Sequence, residues 1–280
     1  MSDRRGLQAL WVFAVVSAIG YGLFGLDPTR VPDHPWVQAF YRASFALFAR
    51  GQVALMLVVI GIALRRAAGW RWLPGLVLVF LLSLGVELLG TTTGLPFGPY
   101  HYTGLLGWRI QGEVPALIPL SWFAMCVPAL GLGRAASPGL PRVGTWVVGA
   151  WLLTAWDLAL DPAMSHLVPY WVWEVDGSWY GMPLLNLAGW FATGLFLLAA
   201  LDLAGAGRWV DALPASWLQG YYVAVLATPV TMLLVAHAWP AVAVTVMGAG
   251  LPLAWLARRR STAAAHPGAE RVQAHTASLP

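Results

Sequence analysis

The chain has 280 residues, 59% of them hydrophobic and only 10% charged, with 17 tryptophans and a formal net charge of +4. No soluble domain of this size carries so apolar a composition, so the chain reads as an integral membrane protein. The arginines are scattered through short connections, which excludes a nucleic-acid surface, and the lone Cys126 in an apolar run excludes a disulfide framework or a cysteine metal site.

Leu7 to Leu26 is the first stretch able to cross the ~30 Å of bilayer hydrocarbon. No small-residue cleavage signal follows it, so it reads as a retained helix and not as a signal peptide. Further spans are predicted from about Ala43 to Leu64, Trp70 to Leu89, Val114 to Leu132, Val143 to Leu160, Pro183 to Leu203, Trp217 to Ala238 and Pro240 to Ala257. The last two are separated only by Trp239 and Pro240, which requires a tight hairpin. With the N-terminus inside, Arg4, Arg5, Arg65, Arg66, Arg71, Arg134, Arg142, Arg208, Arg258, Arg259, Arg260 and Arg271 face the cytoplasm, while Arg30, Arg42 and Arg109 fall outside. The expected fold is all-α: a polytopic membrane protein of about eight transmembrane helices with both termini cytoplasmic. Residues 1–260 form a single transmembrane domain, and 261–280, rich in Ala, His, Pro and Ser, form a disordered cytoplasmic tail.

Polar residues interrupt this pattern at one level. Glu87 lies near the outer end of the third span, which is expected to break at Gly90 into a Gly/Pro/aromatic loop, and an ionisable group inside a span marks a pathway, a pair or a reacting centre. Phe97, Tyr100, His101, Tyr102 and Trp108 among Gly94, Pro96, Gly98, Pro99 and Gly104 suggest a folded cap over something. Asp157 and Asp161 close the fifth span four residues apart, on one face, with Asp161 before Pro162 also suited to ending a helix. A second aromatic loop over 161–183 carries His166, Trp171, Trp173, Trp179 and Tyr180, and Asn186 sits about one turn into the sixth span. Arg50 and Gln52 inside the second span need partners, and a carboxylate such as Glu87 is one candidate.

The chain has no nucleotide loop, no Ser/His frame and no Cys cluster, and His101 and His166 lack a metal-ligand spacing. What remains is carboxyl groups in a low-dielectric pocket among aromatic faces. Burial favours the protonated form of a carboxyl, a second acid splits the pair into acid and base, and aromatic faces attract a developing cation. These parts suit protonation of an alkene to a tertiary carbocation and its capture by water, with a lipid-soluble polyene or isoprenoid as substrate.

Glu87-Leu-Leu-Gly-Thr-Thr-Thr-Gly-Leu-Pro-Phe-Gly-Pro-Tyr-His-Tyr102, Gly112-Glu-Val-Pro115, Pro119-Leu-Ser-Trp122, Trp156-Asp-Leu-Ala-Leu-Asp-Pro162, Trp171-Val-Trp173 and Tyr180-Gly-Met-Pro-Leu-Leu-Asn-Leu-Ala-Gly-Trp190 together resemble the bacterial and archaeal carotenoid biosynthesis membrane proteins of the CruF type. The resemblance runs through about residues 36 to 203. It implies a cofactor-independent carotenoid hydratase of a bacterial inner membrane, adding water across the terminal 1,2 double bond of an acyclic ψ-end group. The substrates it implies are lycopene or γ-carotene derivatives, or C50 carotenoids such as bisanhydrobacterioruberin, with other enzymes of the pathway as candidate partners.

From the chemistry, Asp157 is the first choice as the acid, Glu87 or Asp161 holds and deprotonates the water, and Asn186 orients it. Tyr100, His101, Tyr102, Trp156, Trp171, Trp173, Tyr180 and Trp190 are the candidates for contact with the polyene, in a pocket between the third, fifth and sixth spans. Two other readings stay open: an ion-coupled transporter using the carboxylates as a proton relay, and a non-catalytic carotenoid- or lipid-binding subunit.

Overall fold

The computed structural model describes residues 2–139 and 141–265, with side chains over 4–139 and 141–258. Nine α-helices lie in the described residues: α1 (Ser2–Gly20), α2 (Pro35–Ala68), α3 (Leu73–Thr93), α4 (Leu117–Ala136), α5 (Arg142–Asp161), α6 (Leu185–Leu203), the short α7 (Gly207–Val210), α8 (Ala215–Val235) and α9 (Trp239–Ala265). Eight of them are long and apolar enough to cross a membrane. Their outer faces carry Val12, Ile19, Leu81, Phe196 and Leu251, all exposed. Helices apolar all round suit hydrocarbon on the outside as well as a core within. The chain is a multi-pass α-helical membrane protein.

The eight spans fall where hydropathy places them, and the differences lie at their ends. α2 is 34 residues long, about 51 Å at the helical rise, so it reaches well past the hydrocarbon. It opens on Pro35, which has no N–H to leave unpaired, and stops at Gly69 with φ of 67°. The expected break at Gly90 does not occur: α3 runs on to Thr93 and is capped by the left-handed Gly94, whose N–H reaches Gly90 O. α5 ends at Asp161, as expected, but the chain does not leave helical geometry there. It continues as a wider π-helical turn over Pro162–Leu167. Pro162 cannot donate to Leu158 O, and the indole N–H of Trp179 takes that carbonyl instead at 3.4 Å. α6 begins at Leu185, which puts Asn186 in the first turn and not one turn in. The turn between the last two spans precedes Trp239, at Ala236 to Ala238. α9 runs to Ala265, and the rest of the expected tail, with Arg271, lies outside the described residues.

α4 is the most enclosed span. Glycines bring its neighbours close: a Cβ on Gly149 of α5 would stand 2.6 Å from Leu198 Cδ1 and 2.9 Å from Ala129 O, and one on Gly194 of α6 would stand 3.3 Å from Ala150 Cα. Small residues at helix contacts replace the missing hydrophobic drive between helices in lipid. At one end of the bundle, Arg134 donates to both Asp211 oxygens at 2.7 and 2.6 Å and to Asp202 at 3.2 Å.

At the other end, two loops meet. β1 (Tyr100–Tyr102) pairs antiparallel with β4 (Trp171–Trp173), Tyr100 opposite Trp173 and Tyr102 opposite Trp171. Between them in sequence, β2 (Arg109–Ile110) and β3 (Val114–Pro115) form a small hairpin. The ladder is extended by Thr103 N–H to Tyr170 O at 2.9 Å and Glu174 N–H to Pro99 O at 3.0 Å, and Tyr170 OH ties it to Phe45 O of α2 at 2.7 Å. Arg50 is held by carbonyls and not by a carboxylate, donating to Leu105 O at 2.9 Å and Gly104 O at 3.3 Å.

Candidate active site

Glu87 stands on the inner face of α3, buried, and its carboxyl group accepts three hydrogen bonds. Tyr100 OH and Tyr102 OH donate to Oε2 at 2.6 and 2.7 Å, and Trp122 Nε1 donates to Oε1 at 2.8 Å. Gly90, one turn on, makes this possible, since a Cβ there would meet Tyr100 OH at 2.9 Å and Phe97 at 3.0 Å. Gly189 of α6 does the same from the other side, because its Cβ would lie 2.6 Å from Pro96 O. The loop is thereby seated between α3 and α6. Strand alternation aims Tyr100 and Tyr102 inward, and His101 outward. Burial pushes both phenols well above their usual pKa and the adjacent Glu87 adds to the shift, so both keep the proton they donate.

The second carboxyl set belongs to α5. Asn186 Nδ2 lies 2.8 Å from Asp157 Oδ2 and 3.4 Å from Asp161 Oδ2, bridging the two acids. Asp157 is fully buried and its Oδ1 has no partner. Asp161 is surrounded by its own continuation: Ser165 Oγ lies 2.6 Å from Oδ1, Trp173 Nε1 donates to Oδ1 at 3.0 Å, and Trp171 Nε1 donates to Oδ2 at 3.4 Å. Ser165 Oγ also lies 2.9 Å from the Asp161 carbonyl oxygen. A hydroxyl has one hydrogen, so it serves one of these two acceptors at a time.

The two sets face one cavity of about 60 Å³, whose polar wall is Glu87, Asp161, Asn186 and Ser121. It has room for a few water molecules. Its aromatic wall is Phe97, Tyr100, Tyr102, Trp122, Trp171, Trp173 and Trp190. Trp122 and Trp190 are stacked with centroids 4.3 Å apart, and Trp156 meets Trp190 edge-on at 5.8 Å.

Of the residues singled out from the sequence, Glu87, Asp161, Asn186, Tyr100, Tyr102, Trp171, Trp173 and Trp190 are brought together at this cavity. Asp157 lies behind it, touching Asn186, and Trp156 lines an adjoining cavity. His101 is on the outer face of the ladder, exposed, with Nδ1 3.1 Å from Glu174 Oε1. Tyr180 packs edge-on against His166 and Trp179, away from the cavity. Sequence reasoning missed Trp122 and the whole α4 wall, and it missed Ser165. The signal for Trp122 was present in the Pro119-Leu-Ser-Trp122 motif, and Ser165 lies four residues beyond Asp161. Among the described residues no group of three or more His, Cys, Asp or Glu side chains is gathered for a metal ion.

The geometry on α3, α4, α5 and α6 falls inside a recognised sequence family. The family described as carotenoid biosynthesis protein matches residues 41–252. The chain is also similar to a bisanhydrobacterioruberin hydratase of Haloarcula japonica, 34% identical over 133 residues, which cover 45% of this chain and 43% of that protein. The chain therefore spans less than half the length of that relative. No solved structure matches.

Proposed function

The chain belongs to the carotenoid biosynthesis protein family, and on that premise we propose that it is a carotenoid hydratase, adding water to the terminal C-1,2 double bond of an acyclic ψ-end group. The observation that carries this reading is the pair of carboxyl sets, Glu87 and Asp161, separately supported and facing one small cavity walled by indoles and phenols. Asp161 is the acid in this proposal. It lines the cavity where Asp157 does not. Asp157, sharing Asn186 with it, is the neighbour that keeps one proton on the pair.

The proton passes from Asp161 to C-2 and the π electrons form the new C–H bond, leaving a tertiary cation at C-1. The faces of Trp122, Trp190, Trp171 and Trp173 shield that cation, a contact worth about 2 kcal/mol or more where water is excluded. Water held in the cavity attacks C-1. Glu87, surrounded by donors alone and so suited to a carboxylate, takes its proton, which returns to Asp161 across the same cavity. The cycle consumes one water per end and needs no cofactor. The membrane is proposed to be the bacterial inner membrane, with both termini cytoplasmic and this cavity at the outer leaflet, on the distribution of arginines.

The test is mass analysis of pigments from a bacterium that makes lycopene or γ-carotene and expresses this chain, with Asp161→Asn alongside. Gain of one water per ψ end in the wild type and none in the variant is expected. Pigment that copurifies unchanged in mass with well-inserted wild type would refute the hydratase and favour a non-catalytic carotenoid carrier.

A further inference from the structure

The reacting cavity is far too small for a polyene, which is a rigid rod many times longer than its reactive end. Two further cavities adjoin it in succession through shared walls. One of about 90 Å³ shares Ile118, Ser121, Leu160 and Trp171 with the reacting cavity. A larger one of about 390 Å³ shares Ser17, Phe48, Tyr170 and Met232 with that second cavity. Each shares a wall with the next, from the carboxyl groups to the space lined by α1, α2 and α8. The last is walled by Val16, Phe24, Val37 and Phe40, which are exposed on the outside of the bundle where hydrocarbon would lie.

The walls of this passage present almost only hydrocarbon. Ser17, Ser121, Tyr41 and Tyr170 each turn their hydroxyl onto a backbone carbonyl, at 2.8, 2.8, 3.2 and 2.7 Å. Among the described residues, two buried N–H groups on these walls have no partner, both in the middle cavity. Gln52 accepts from Thr228 Oγ1 at 3.3 Å, which leaves its Nε2 without a partner, and Trp156 Nε1 also has none. Buried N–H donors in an apolar passage find a weak acceptor in a π face, which a polyene offers along its length and a saturated chain does not.

We propose that this passage between α1, α2 and α8 is the polyene-binding corridor: the carotenoid enters sideways from the bilayer between α1 and α2 and slides its ψ end forward to the carboxyl groups. The proposal rests on the hydratase reading for its substrate. It also moves most of the binding surface away from α3 and α6, onto helices that carry none of the proposed catalytic groups.

The test blocks the corridor from within. Ala49→Phe and Met232→Phe enlarge two buried side chains in its wall, and Ala188→Phe enlarges an exposed one on the outer face of α6 as a control. Each protein is produced in a lycopene-forming host, purified in dodecyl maltoside, checked for monodisperse elution and thermal unfolding, and assayed for lycopene and its hydrated products retained per protein. Retention at least fivefold lower in the two corridor variants, with Ala188→Phe at the wild-type level, is expected. Wild-type retention in folded Met232→Phe or Ala49→Phe, or an equal loss in Ala188→Phe, would overturn the corridor. Should one of the pair not fold, the other reads the same outcome alone. Mass analysis of the same pigment separates the two questions, since a wild type that retains lycopene unhydrated refutes the hydratase and leaves the corridor standing.

Discussion

Glu87→Gln separates support of the fold from chemistry at the same atom. The best rotamer of the new amide turns its oxygen to Tyr100 and Tyr102 and its NH2 to Trp122 Nε1–H, which stood 2.8 Å from Oε1. One buried donor is left facing another, at a cost of about 1–3 kcal/mol. Trp122→Phe breaks the same bond from the other side, leaves an oxygen of the proposed carboxylate bare and shrinks a buried ring, so its cost in stability is at least about 1–3 kcal/mol. Only Glu87→Gln removes the group that takes the proton from water, a role worth about 10²- to 10⁴-fold in rate. Thermal unfolding in detergent and turnover per folded molecule in lipid nanodiscs are to be measured for both variants. Destabilisation of both, with Trp122→Phe at least as far as Glu87→Gln, is expected, while kcat is at least a hundredfold lower in Glu87→Gln and within tenfold of wild type in Trp122→Phe. Equal kcat in the two variants would refute Glu87 as the base and reduce it to a structural ligand of the loop.

Asp157→Asn keeps the shape behind Asn186 but removes the second acid of the pair, so kcat is expected to fall about tenfold or more while kcat for Asp161→Asn falls at least as far; a profile in which Asp157→Asn is the more damaging would return the acid to Asp157. Gly90→Val pushes a branched side chain into Tyr100 OH and Phe97, and loss of both hydration and thermal stability is expected, whereas Gly85→Ala, with nothing within 4 Å of the added Cβ, should melt close to the wild type. His101→Ala breaks an exposed pair with Glu174, worth about 1 kcal/mol or less, so hydration within twofold of wild type is expected and a large loss would place His101 in the site.

The spans were legible because about twenty apolar residues in a row have one use, and the meeting of Glu87, Asp161 and Asn186 was legible in their places toward matching ends of three spans, although those ends themselves shifted. What hid the rest was local. Gly90 reads as a helix breaker, yet it is a helical glycine chosen for the space it gives Tyr100. Pro162 reads as a terminus, yet the chain continues in a wider turn because a distant indole, Trp179, takes the carbonyl that proline cannot. Trp122 inside an apolar run looks like bulk, and its one polar atom has no signature until the helix is set beside Glu87. Arg50 needed a partner, with a carboxylate one candidate, and it takes backbone carbonyls, which every sequence offers equally. Tyr-His-Tyr held the clue to its own geometry, since only a strand sends the two phenols one way and the imidazole the other.

The partners of each carboxyl group have a further meaning when read along the chain in the order it is made. Every donor to Glu87 lies within 35 residues after it, and apart from Asn186, 25 residues on, those around Asp161 lie within 12. Glu87 and Asp161 therefore travel with most of their escort, whereas Asp157 has only Asn186, 29 residues on. A nascent chain handing its spans to the bilayer one by one finds most of the groups that solvate Glu87 and Asp161 in the loop that follows each, while Trp122 arrives with α4 and Asp157 waits for Asn186 of α6. The β1 and β4 ladder is then the late event, closing two hairpins that are already at ease with their charges, and the reacting cavity is the seam left where they join.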